Sequence, residues 1–191
     1  GLVKNGFAWA FPSNNEVKIG MGTFLDNKNS IPVGEILKSF LPDLGFEPSE
    51  LIGNERKLRV WNGHSKLNGD GILLVGDAAS LCDPFLAEGL RPALLSGLEA
   101  AKSLVYWLDG DVDFLDEYTK NMKNNWGNSM AWGKRIAQVF YRFPKVGYQL
   151  GVKRHTAPKR IAQILSGEMS YEDIAKRVIK RLLFQNQTSK S

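Results

Sequence analysis

The chain has 191 residues, 43% of them hydrophobic and 24% charged, with a net charge of +5. That composition supports a sizeable core and excludes wholesale disorder. A single cysteine, Cys82, excludes an internal disulfide and favours a reducing, intracellular setting.

Residues 6–24, GFAWAFPSNNEVKIGMGTF, alternate as a β-hairpin does. Phe7, Trp9 and Phe11 share one face, Pro12-Ser13-Asn14-Asn15 supply the turn, and Val17 and Ile19 carry the second strand. Val33, Ile36, Leu37 and Phe40 are spaced for one face of a short helix over 31–40, which Pro42 stops. Residues 55–67, ERKLRVWNGHSKL, read as a further strand and loop, and 72–75, ILLV, as a short strand buried on both faces. From residue 90 helix dominates. Leu90, Ala93, Leu94, Gly97, Leu98, Ala101, Leu104, Val105 and Leu108 follow one amphipathic stripe. Pro92 falls in the first turn, where its missing N–H costs nothing, and Asp109-Gly110-Asp111 ends the helix. Arg91, Glu99 and Lys102 rule this stretch out as a membrane span, and no signal-peptide pattern is read. A second helical stretch over 113–141 carries glycines at 127 and 133, and helices over 156–166 and 170–184 follow, with Ser170 and Asp173 as a capping box. Strands first and helices last give an α+β order, not a repeating βαβ chain. Three segments are expected: 1–69, 70–110 and 111–191.

Charge is unevenly spread. Residues 1–130 hold 12 Lys and Arg against 17 Asp and Glu, whereas 131–191 hold 13 against 3. The basic region reads either as a solvated helical face or as a surface for an anionic membrane or acidic partner. No aromatic-studded RNA motif or zinc spacing accompanies it, so nucleic acid is not expected. No His, Cys, Asp and Glu cluster has metal-ligand spacing, and no Ser-His-Asp arrangement can be built.

The informative stretch is GILLVGDAASLCDPFLAEGLRPALLSGLEAAKSL, residues 71–104. Asp77 follows the short strand, where ligands bind in α/β architectures, and its carboxylate can accept hydrogen bonds from sugar-like hydroxyls. Equally, it can cap the turn Ala78-Ala79-Ser80. Glu88-Gly89 precedes a helix N-terminus that presents free N–H groups and partial positive charge, and a glycine there lets a ligand approach the backbone. Its plain reading is a loop glycine. Phe7, Trp9 and Phe11 read as sheet core or as a cavity wall. His64 reads as a surface histidine or a proton donor, Cys82 as a small buried residue or a redox thiol, and Arg91 as a helix-start charge or an anion contact.

Taken together, Gly76-Asp77-Ala78-Ala79, Pro84, Glu88-Gly89 and the helix with Ser96-Gly97 and Ala100-Ala101 resemble the second FAD-binding motif of FAD-dependent oxidoreductases. Phe7-Ala8-Trp9-Ala10-Phe11-Pro12 followed by Gly20-Met21-Gly22 resembles the signature of geranylgeranyl reductases, with Phe7 where that family often has Tyr. The tail LSGEMSYEDIAKRVIKRLL is also similar to that family's C-terminal helices. The resemblance implies the C-terminal portion of a larger p-hydroxybenzoate-hydroxylase-like fold, with an antiparallel substrate-side sheet over 1–69 and the flavin motif over 70–110. The helical, basic region over 111–191 completes it. It implies that Gly76, Asp77, Pro84, Glu88, Gly89 and Leu90 hold FAD, Asp77 on a ribityl hydroxyl, and that Phe7, Trp9, Phe11, Pro12, Gly20 and Gly22 line an isoprenoid cavity. Ala87 stands where the family's loop has a glycine, which either tightens the loop or forbids a positive φ there. The implied reaction is hydride transfer from reduced flavin to an isoprenoid double bond in a chlorophyll, tocopherol or lipid precursor, with NADPH or a ferredoxin as electron donor. A strand followed by G-x-G-x-x-G and a helix is absent, since Leu25 breaks the spacing after Gly20-Met21-Gly22; residue 1 is Gly, not Met, and the chain is read as part of a longer protein, inactive alone. A cytoplasmic protein is expected, with the basic region as the place for any peripheral membrane contact. The rival readings are a FixC-type dehydrogenase passing electrons to a quinone and a non-catalytic basic helical interaction module.

Overall fold

The computed structural model describes residues 5–24, 32–53, 55–110 and 114–188. These form two compact units, residues 1–57 and 58–191, each α-helical with one small antiparallel sheet. The architecture is α+β, as the element order implies. No helix among the described residues is long and apolar enough to cross a membrane.

In the first unit, β1 (Gly6–Ser13) pairs antiparallel with β2 (Glu16–Thr23), with Trp9 opposite Gly20 and Ser13 opposite Glu16. That register leaves Asn14-Asn15 as a two-residue turn, a position where Asn accepts unusual backbone angles readily. Pro12 is tolerated because a two-stranded sheet has only edge strands. Helix α1 (Val33–Phe40) follows, and a short 3-10 turn over Pro42–Leu44 closes on Gly45, whose φ is 80°.

The second unit begins with a departure from the sequence reading. Residues 55–67 make no strand; Val60 forms one bridge to Cys82, with the Trp61 N–H donating to the Cys82 carbonyl at 2.8 Å. Pairing stops there because the next N–H of that partner, on Asp83, donates to Glu88 inside its own loop. The ILLV run is also shorter than expected. Only Ile72–Leu73 (β4) pairs, antiparallel to Asn68–Gly69 (β3), and Ile72, Leu74 and Val75 are exposed.

Helix α2 (Leu90–Leu108) has the expected length but the opposite orientation. An apolar stripe ordinarily faces the core. Here the buried side is Pro92, Ser96, Ala100 and Ser103, while Leu90, Leu94, Leu98 and Leu108 are 73, 67, 55 and 74% exposed. Small residues let α2 approach α3 (Phe114–Met122) closely, and Ser96 is hydrogen-bonded on that side, accepting from the Gly76 amide at 2.9 Å. Helix α3 runs through a π-helical turn at Lys123–Gly127 into α4 (Asn128–Arg142), so Gly127 does not break the stretch. A short α5 (Pro144–Gly147) and a second π turn at Tyr148–Val152 lead to α6 (Ala157–Ser166) and α7 (Tyr171–Thr188). Ser170 and Asp173 form the expected capping box: the Asp173 N–H donates to Ser170 Oγ at 3.1 Å, and Asp173 Oδ2 accepts from the Ser170 N–H at 3.0 Å. The core gathers Trp61, Leu81, Tyr118, Trp126, Met130 and Tyr171.

Candidate functional site

The loop between β4 and α2 is fixed at nearly every residue. Gly76 opens it at φ 53°, and a Cβ there would lie 3.1 Å from that of Ala93. The turn Gly76–Ala79 is a 3-10 helix closed by Ser80 at φ 54°. Its N-cap is Val75, without a side-chain capping bond, so Asp77 does not cap the turn. The Leu81 carbonyl accepts from Trp126 Nε1 at 3.0 Å, and Cys82 is held by the Trp61 bond.

Asp83 organises the rest. Its Oδ1 accepts the Phe85 and Leu86 amides at 2.7 and 2.9 Å, its N–H donates to Glu88, and its carbonyl accepts from Ala87. Oδ2 accepts from Tyr171 Oη at 2.7 Å, across 88 positions of sequence. Both side chains are almost fully buried. Burial raises the Asp83 carboxyl above its ordinary range, opposed by the Leu86, Tyr171 and Phe85 hydrogen bonds, with Glu88 adding to the rise. Burial and the Asp83 charge together raise the Tyr171 hydroxyl, which stays a neutral donor. Tyr171 fits because Gly133 faces it: a Cβ at 133 would lie 2.8 Å from its ring. Neither Asp83 nor Tyr171 was marked by sequence reasoning. The signal for Asp83 was Asp directly before Pro84, a frequent turn opening in which the carboxylate takes amides two and three residues on.

The loop also corrects one of the two expectations for Ala87. Its φ is 54°, the left-handed conformation that its side chain was expected to oppose. The Asp83 N–H bond to Glu88 O at 2.8 Å and the Ala87 N–H bond to Asp83 O at 3.1 Å close the ring that holds it there.

Of the expected cofactor residues, the structure brings Asp77 and Gly89 together. Asp77 is exposed, has no hydrogen-bond partner among the described residues, and lies so that a Cβ on Gly89 would stand 3.2 Å from its Oδ1. Gly89 is the N-cap of α2. Glu88 serves the protein itself: its Oε1 accepts the Arg91 amide at 2.8 Å and its carbonyl accepts from Asp83. Pro92 has no N–H and the Ala93 N–H goes to the Gly89 carbonyl, so among the described residues the Gly89 and Leu90 amides are the first-turn donors left for a ligand. Pro84 is buried beneath the loop and contributes shape. Thus the Asp77 carboxylate stands beside the Gly89 backbone, at a helix N-terminus whose Gly89 and Leu90 amides have no hydrogen-bond partner among the described residues. This arrangement can hold a hydroxyl-bearing ligand whose electron-rich edge meets a helix N-terminus.

Nearby groups serve packing. Arg91 stacks over Trp126, 5.2 Å from the ring centroid, and its guanidinium fills the space a Cβ on Gly167 would need. His64 packs edge-on to Trp61 at 5.4 Å and covers Gly127. Cys82 is buried, and burial followed by the Asp77, Asp83 and Glu88 charges pushes its thiol up to about 12, an inert state. No group of three metal-ligating residues occurs among the described residues.

In the first unit, Phe7 and Trp9 stand 5.7 Å apart and Phe7 meets Phe24 at 6.0 Å. The Trp9 indole lies across its partner Gly20, where a Cβ would overlap the ring, and reaches within 4.0 Å of a Cβ position at Gly22. Phe7 and Phe11 are exposed while Trp9 between them is half-buried, and Pro12 pairs opposite Val17 near the end of the strand.

Comparison with known proteins decides the relationship. The chain is 27% identical over 183 residues to digeranylgeranylglycerophospholipid reductase 1 of Methanopyrus kandleri, covering 90% of this chain and 47% of the relative. The chain is a relative of the geranylgeranyl-reductase-like oxidoreductases. It is also 27% identical over 145 residues to digeranylgeranylglycerophospholipid reductase 1 of Methanococcoides burtonii, covering 73% of this chain and 35% of that protein. Menaquinone reductase of Mycolicibacterium smegmatis is 25% identical over 182 residues, covering 91% and 44%. The chain therefore spans less than half the length of these curated relatives. No protein-family model and no solved structure matches it.

Proposed function

We propose that this chain is the C-terminal part of an FAD-dependent oxidoreductase that saturates carbon–carbon double bonds of an isoprenoid-bearing lipid or quinone. The observation that carries the reading is the Asp77 carboxylate, without a hydrogen-bond partner among the described residues, beside the Cβ-less Gly89 at the start of α2. When bound, reduced flavin supplies the hydride. Asp77 would accept a hydroxyl of the cofactor's sugar-like chain. The Gly89 and Leu90 amides, with the α2 dipole behind them, would favour negative charge at the ring edge. Glu88 restrains that field, since its carboxylate already takes the Arg91 amide. Gly76 and Pro84 keep the loop shape, and the Asp83–Tyr171 pair anchors it to α7.

Phe7, Trp9, Phe11, Pro12, Gly20 and Gly22 supply the isoprenoid contact in this proposal, Gly20 by letting Trp9 lie flat across the hairpin. The exposed leucine stripe of α2 and the exposed Ile72, Leu74 and Val75 support a split site. Apolar surface of that extent is normally covered, and here the cover would be a dinucleotide-binding half. The substrate class follows the named relatives, a digeranylgeranyl lipid or a menaquinone, both isoprenoid-bearing, rather than chlorophyll or tocopherol precursors.

The test uses the full-length protein, its flavin reduced, incubated separately with a digeranylgeranylglycerophospholipid and with a menaquinone. Mass spectrometry should find hydrogen added across isoprenoid double bonds in one of them. Flavin turnover with neither compound changed would sink the reading.

A further inference from the structure

We infer that residues 142–155 form a docking surface for an anionic lipid bilayer. The segment joins the end of α4 to α6 through α5 and the second π turn. Nearly all of it is exposed. It presents Phe143 at 58% and Tyr148 at 55% exposure, with Val146 and Val152 also exposed. Interleaved with them are Arg142, Lys145, Lys153 and Arg154. Among the described residues, none of these four bases has an ion-pair partner. No carboxylate residue occurs in the sequence between Glu117 and Glu168, a stretch that carries ten Lys and Arg. The segment is also built into the fold: a Cβ on Gly147 would lie 2.6 Å from the Phe140 ring, so the turn is seated against α4.

A solvated charged face explains the bases but not the two aromatic rings and two valines set among them in water. A polyanion groove explains the charge but gives the valines nothing to contact. A lipid headgroup layer meets both needs, since basic side chains find phosphates while aromatic and aliphatic groups enter the acyl boundary. The inference goes beyond the flavin-site reading and does not depend on it.

The test is sedimentation of the purified protein with phosphatidylcholine vesicles, with and without phosphatidylglycerol, at low and high salt. Binding should require the anionic lipid and weaken with salt. Neutralising Lys145→Gln, Lys153→Gln and Arg154→Gln together should cut the partition coefficient by about two orders of magnitude, on the order of fivefold per base. Phe143→Ser with Tyr148→Ser should weaken binding while leaving its salt dependence in place. Equal binding to neutral and anionic vesicles, or no vesicle binding, would overturn the inference without reference to any variant. So would serine variants that bind like the wild type while transfer RNA displaces the vesicles, the behaviour of a general polyanion surface.

Discussion

Replacing Tyr171 with Phe removes one oxygen from the centre of the second unit. That oxygen donates to Asp83 Oδ2 at 2.7 Å, both partners are almost fully buried, and the ring stays seated against Gly133. A hydrogen bond to a buried carboxylate is worth about 1.5–3 kcal/mol, so Y171F should lose roughly 2 kcal/mol at neutral pH. The pH dependence gives a sharper check. The folded Asp83 carboxyl lies above its unfolded value, because burial outweighs its hydrogen bonds. The native state therefore binds that proton more tightly. Asp83 costs no stability below its unfolded pKa, and its cost enters as pH rises towards the folded pKa. Losing the Tyr171 donor raises the folded pKa further, so the Y171F penalty is largest above it. The penalty should shrink to about 1 kcal/mol, a neutral hydrogen bond, once Asp83 is protonated. Urea melts of both proteins across mildly acidic to neutral pH measure this. A penalty below about 0.5 kcal/mol, or one that does not fall with pH, would refute the assignment of Asp83–Tyr171 as a buried, ionised anchor.

Ala87 sits at φ 54°, which costs a non-glycine residue about 1–2 kcal/mol, against an entropy cost of roughly 0.5–1 kcal/mol for glycine. Ala87→Gly should thus stabilise by about 0.5–1 kcal/mol in the same melts, and a destabilised variant would mean that the left-handed turn is not strained. With its thiol at about 12, Cys82 should resist a thiol reagent at mildly alkaline pH until denaturant is added; labelling of the native protein at the rate of the unfolded one would contradict its burial. Gly20→Ala should push the Trp9 indole off the hairpin, read as a loss of its near-ultraviolet circular dichroism with the fold retained.

Local pattern explains where the sequence was legible. Alternating aromatics specify the hairpin without outside help, though its turn is only Asn14-Asn15, since Pro12 and Ser13, read as turn residues, pair in β1; Ser170 with Asp173 specifies the start of α7. What depends on partners was not legible. Periodicity found the leucine stripe of α2 but could not tell which side is covered, and Ser96, Ala100 and Ser103 look featureless in a hydropathy pattern although they make the helix contact. Residues 55–67 have the composition of a strand, yet their neighbour turns back on itself at Asp83. At the site, Asp77 and Gly89 stood out by motif, while Tyr171 could not, since only the folded chain brings α7 to the loop.

The most direct test of the central claim is the visible absorption spectrum of the full-length protein, purified as wild type and as Asp77→Ala. A flavin spectrum in the wild type that is much reduced in the variant, with the two proteins melting alike, is the predicted result. Full flavin retention by the variant, or no flavin in either protein, would contradict the account of the loop before α2 as half of a flavin site.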